Sequence, residues 1–119
     1  MAVYNRGPKT FTAGEALVKH RAVKFVSGEV LYADATEVGI GVTEDAVASG
    51  EGVSIYLFNS GGTVKLTAGE VVAQGAACYN LADGKIGDTD PGGGTVCFIA
   101  LDAASADGDI IEALPVVFN

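Results

Sequence analysis

The chain has 119 residues, of which 49% are hydrophobic, and it carries a formal net charge of −8. This length and hydrophobic fraction predict one folded domain with a modest core and exclude a disordered chain. The acidic balance excludes nucleic acid, whose phosphates would be repelled, and an anionic membrane surface. The sequence has no apolar run of the length of a signal peptide or a spanning helix, so we expect synthesis in the cytoplasm.

Residues 1–11 predict an extended N-terminal arm ahead of a single domain at 12–119. Gly7-Pro8 is incompatible with a helix, and Tyr4 and Phe11 are isolated aromatic residues. Such an arm is either disordered or ordered by docking on another molecule.

From residue 12 onward, short strand-like segments alternate with glycine turns. In residues 53–58, Val53, Ile55 and Leu57 share one face of a strand. Residues 60–62 (Ser-Gly-Gly) predict a hairpin, and residues 82–85 (Ala-Asp-Gly-Lys) predict another with its glycine at positive φ. About ten such strands indicate an all-β fold, a small antiparallel barrel or sandwich.

The sequence contains one unit nearly twice. The tetrapeptide Thr-Ala-Gly-Glu occurs at residues 12–15 and again at 67–70. Further matches follow in the same order along the chain. Leu17 corresponds to Val72, and the turn at 27–28 corresponds to the turn at 83–84. We therefore expect residues 12–58 and 67–118 to form two similar halves of one domain.

The predicted strands at residues 53–58 and 95–101 have apolar residues on both faces. A small barrel buries only one face of each strand. Their second face needs a cover, either a loop or a neighbouring subunit, since exposed apolar patches usually indicate association. Residues 114–118 add further apolar side chains that need a cover. The candidate subunit-interface residues are Tyr56, Phe58, Phe98, Val117 and Phe118.

Residue types that carry catalysis are sparse. His20 lies in a polar turn between two cations, and Cys78 and Cys97 lie in apolar runs without metal-ligand spacing. We predict no catalytic, cofactor-binding or metal site, and buried thiols that act as small apolar side chains. An alternative is a small carrier or ligand-binding β-barrel of the biotinyl or lipoyl kind, with Lys85 in a hairpin as the modified residue.

The chain resembles the capsid decoration, or head cement, proteins of tailed bacteriophages over about residues 9–115. Besides the two Thr-Ala-Gly-Glu units, the segments that carry this resemblance are 21–28, 40–43, 48–51, 74–76, 82–85, 103–104 and 108–111. It implies a barrel or tulip-like domain on the outer surface of the virion, which binds the major capsid protein, forms a homo-oligomer such as a trimer, and is not an enzyme. It also implies that the arm lies on the capsid, with the candidate contact residues Val3, Tyr4, Asn5, Arg6 and Phe11.

Overall fold

Ten short strands and two single 3-10 turns are the regular elements of the computed structural model, which describes residues 8–60 and 62–116. The strands are β1 (Pro8–Ala13), β2 (Ala22–Val26), β3 (Glu29–Tyr32), β4 (Gly41–Thr43), β5 (Gly52–Leu57), β6 (Val64–Thr67), β7 (Ala77–Asn80), β8 (Ile86–Gly87), β9 (Phe98–Ala100) and β10 (Ile110–Pro115). The 3-10 turns are Phe58–Ser60 and Ala82–Gly84. The predicted all-β class is confirmed.

The first five strands close into a barrel in the order β1-β3-β2-β4-β5, and β1 also pairs with β5. Four of these neighbouring pairs are antiparallel, whereas β1 and β3 are parallel, with Ala13 opposite Val30. Strand direction cannot alternate around a closed ring with an odd number of strands. The predicted antiparallel barrel therefore contains one parallel pair.

The other five strands form a sheet in the order β6-β10-β9-β7-β8. When β6–β10 are matched to β1–β5, this is the order around the first barrel read in the opposite direction. Its ends approach each other through a parallel bridge between Ala68 and Ile86, the counterpart of the Ala13–Val30 pair. The next residue repeats the match, because the Gly14 amide donates to the Val30 carbonyl and the Gly69 amide to the Ile86 carbonyl, both at 2.8 Å. The prediction of two similar halves is confirmed.

The glutamate of each Thr-Ala-Gly-Glu unit has the same structural role in its half. The Glu15 carboxylate accepts a hydrogen bond from the Tyr32 amide, and the Glu70 carboxylate accepts one from the Thr89 amide, both at 2.9 Å. Each glutamate thus binds a backbone N–H group at or just beyond the third strand of its half.

The two halves share a core. The interior of the first barrel contains Ala13, Leu17, Val23, Val30, Val53 and Ile55. A larger cluster combines the interior of the second half with Ala22, Ala33 and Val42 of the first, and Tyr56 and Phe58 pack against it. The second apolar face of β5 is therefore partly covered by the other half of the same chain, a cover that the sequence did not indicate.

Two further expectations differ from the structure. Residues 8–11 belong to β1, where Phe11 pairs with Val53, so this part of the predicted arm is a barrel strand. Residues 8–11 are held in this strand by antiparallel pairing with residues 53–56 of β5. The predicted hairpin at 60–62 is also wrong, because β5 and β6 lie in different sheets and the segment between them joins the two halves. Residues 1–7 lie outside the described residues.

Candidate interaction surfaces

The predicted subunit-interface residues do not form one surface. Phe98 is fully buried, with its ring edge-on to that of Phe58 at a centroid distance of 5.2 Å. Phe98 is therefore a core residue, and its assignment to a subunit interface is corrected. Tyr56 and Phe58 are half-buried against the second half, while Val117 and Phe118 lie outside the described residues.

The predicted capsid-contact residues divide in the same way. Val3, Tyr4, Asn5 and Arg6 lie outside the described residues. Phe11 is half-buried in β1, and its ring meets that of Phe25 edge-on at 5.5 Å. It therefore belongs to the barrel wall and not to a separate arm.

An apolar groove of about 420 Å³, which we name the barrel mouth, opens at one end of the first barrel. Its lining residues are Phe11, Phe25, Ile40, Leu57, Phe58 and Asn59. Phe25 follows the buried Val23 on the same face of β2, yet it is 50% exposed. The alternation of residues along β2 places Phe25 on the inner face with Val23. Phe25 is nevertheless exposed, because nothing among the described residues closes the barrel at this end.

A second cleft of about 340 Å³ lies between the halves and is more polar. Lys19, His20 and Lys65 line it together with Glu44 and Tyr56. Burial lowers the pKa of His20 first, and the charges of Lys19 and Lys65 lower it further. The second half thus contributes one of the two cations, Lys65, that act on His20.

His20 connects the halves through its backbone. Its carbonyl accepts hydrogen bonds from the Thr67 amide at 2.9 Å and the Thr67 hydroxyl at 3.0 Å. Its φ is +62°, and the matching residue of the second half is Gly75 at +84°. The conformation is that of a tight turn, so the position of this histidine is explained by chain reversal.

The two thiols and Lys85 have structural surroundings. Cys78 and Cys97 are buried and unbridged, and burial raises the pKa of Cys78 to about 11 and also raises the pKa of Cys97. They act as small apolar side chains, as predicted. The Lys85 ammonium lies 2.9 Å from a carboxylate oxygen of Asp107. A carrier domain must present its lysine to a modifying enzyme, and this ion pair does not favour that alternative.

Within residues 8–60 and 62–116, no three His, Cys, Asp or Glu side chains come together as a group that could hold a metal ion. No helix in that part of the chain has the length and apolar character needed to cross a membrane.

The chain is thus an all-β protein of two similar halves that presents an apolar groove. The family model described as phage cement protein matches residues 5–115, and the chain belongs to that family of structural phage head proteins. Its fold is similar to a solved structure, the N base of head fiber gp8.5 in bacteriophage phi29, with 18% sequence identity, a TM-score of 0.79 and 92% coverage of each chain. A comparison with curated proteins found no match.

Proposed function

We propose that this protein decorates the outer surface of a phage head, where it binds the major capsid protein and stabilises the contacts between its subunits. The family match over residues 5–115 carries this proposal. The charge of −8 supports it, because an acidic coat does not compete with the shell for the packaged genome. Modest affinity per copy is sufficient, since many copies on one lattice act together.

The proposed capsid contacts are the residues that precede β1, namely Val3, Tyr4, Asn5 and Arg6. They include one cation and one aromatic side chain, residue types that are enriched in protein interfaces. Val117 and Phe118 are proposed to contribute to a subunit interface at the other end of the chain. The proposed oligomer is a trimer, and the protein is made in the host cytoplasm before it joins the virion.

The test is a binding titration of the purified protein on mature phage heads that lack it. We expect saturable binding and an increase in the temperature at which the heads release their DNA. A variant without residues 2–7 should bind more weakly, while its thermal unfolding midpoint stays unchanged because β1 begins at Pro8.

The matched control is a variant without residues 117–119, which keeps β1 and the preceding residues. We expect this variant to bind heads once it is supplied above the concentration at which it self-associates. Heads that bind no protein would refute the proposal. Undiminished binding by the variant without residues 2–7 would remove these residues from the contact.

A further inference from the structure

Three residues of the first half stand side by side across β2, β4 and β5 and pack on the second half. Ala22 is paired with Val42, and Val42 with Tyr56. Ala22 and Val42 are buried in the shared core, and Tyr56 packs against it. We name these residues the covering row.

The second half contains the same row at the matching positions of β7, β9 and β10. Ala77 is paired with Ile99, and Ile99 with Leu114. In contrast to the covering row, Ala77 is exposed, Ile99 is half-buried and Leu114 is 44% exposed. We name these residues the uncovered row, because no third unit follows the second half in the described part of the chain.

At the barrel ends the second half is the covered one and the first half is the uncovered one. The residues of the second half that match Phe11, Phe25 and Ile40 of the mouth are Leu66, Asn80 and Cys97, and all three are buried. The first half closes this end, since the Asn80 amide nitrogen donates to the Glu37 carbonyl at 2.7 Å and Leu66 shares a cluster with Ala22 and Val42. Within residues 8–60 and 62–116, one mouth is therefore closed and the other is open.

We propose that the uncovered row of one copy packs over the barrel mouth of the next copy. This contact repeats between chains the contact that the two halves make within one chain. Both surfaces are apolar, and each is the unused counterpart of a surface that is buried within the chain. The contact is head-to-tail, so it closes into a ring when the rotation per copy permits. The inference deepens the proposed self-association, on which it rests, by naming the two surfaces that meet.

Two charge substitutions test the two surfaces separately. Leu114→Glu places a carboxylate in the uncovered row, and Phe25→Glu places one in the mouth. Sedimentation velocity should show an oligomer for the unmodified protein and a monomer for each variant, with unfolding midpoints close to that of the unmodified protein. Val71→Glu is the matched control, because Val71 is 65% exposed and belongs to neither surface. It should leave the oligomer intact.

An equimolar mixture of the two variants identifies the geometry. The Leu114→Glu chain keeps an intact mouth and the Phe25→Glu chain keeps an intact row, so the mixture should form a dimer and no larger ring. A symmetric contact between two rows would leave Phe25→Glu dimeric on its own, and one between two mouths would leave Leu114→Glu dimeric on its own. Only the head-to-tail contact forms a dimer from two variants that are each monomeric. Where Leu114→Glu lowers the unfolding midpoint strongly, Ile99→Thr tests the same row with a smaller change.

Several outcomes would overturn the inference. The unmodified protein could be monomeric, or either Leu114→Glu or Phe25→Glu alone could keep the oligomer. The mixture of these two variants could also stay monomeric. A Phe25→Glu variant that keeps the oligomer but no longer binds heads would make the mouth a capsid contact, and the proposed function would stand. Conversely, the expected behaviour of all variants together with no binding to heads would uphold the inference and refute the proposed function.

Discussion

Truncation of Phe98 separates a core residue from an interface residue. The side chain is fully buried and its ring packs edge-on against Phe58 at 5.2 Å. Removal of a buried phenylalanine side chain costs about 3–5 kcal/mol, because apolar contacts are lost and a cavity remains. The entropy of unfolding for a chain of this length is roughly 0.25 kcal/mol/K, so Phe98→Ala should lower the unfolding midpoint by about 12–20 °C.

The assay is thermal and denaturant unfolding of the purified variants at a low and a high protein concentration. The loss of stability should be equal at both, because the contacts of Phe98 lie within one chain. Phe25→Ala is the matched control, since Phe25 is half exposed and its truncation should cost less than about 1.5 kcal/mol in a chain kept monomeric by dilution. A double-mutant cycle of Phe58→Ala with Phe98→Ala should give a coupling of about 0.5–1.5 kcal/mol.

A loss of under about 1 kcal/mol for Phe98→Ala would contradict the burial of this ring, since truncation of a buried phenylalanine costs about 3–5 kcal/mol. A loss that appears only at high protein concentration would contradict it as well. That result would mean that Phe98 lies in a subunit interface, as the sequence alone suggested.

Three further predictions concern single groups. Glu70→Ala should destabilise the fold by about 1 kcal/mol in denaturant unfolding because the Thr89 amide loses its acceptor, whereas Glu70→Gln keeps an acceptor and should cost less. The pKa of Asp109 is lowered mainly by hydrogen bonds from Ser105, so its contribution to stability is complete above about pH 4 and is lost as the pH falls through the lowered pKa. Asp109→Asn should therefore flatten the acid side of the plot of stability against pH. An unchanged plot would contradict this. Because burial raises the pKa of Cys78 to about 11, its alkylation by iodoacetamide at pH 8 should be roughly a hundred-fold slower in the native than in the unfolded protein, and equal rates would contradict its burial.

The sequence by itself determined the class of fold, the duplication and the turns, because these depend on local preferences. The hairpin at Asp83 and Gly84 was predicted from the residues that tolerate positive φ, and both have it, at +60° and +71°. The alternation of Val53 and Ile55 likewise identified the buried face of β5. The resemblance to head cement proteins rested on the same turn pattern.

Only the tertiary structure decided how these elements meet, because those contacts join residues far apart in the chain. The parallel pairing of β1 with β3 follows from the closure of five strands, and this closure makes residues 8–11 a strand. The burial of Phe98 depends on the first half packing against the second. The same packing leaves Leu114 exposed while its counterpart Tyr56 is half-buried, a difference that two matching sequences cannot reveal, because each row is equally apolar and only its neighbours differ.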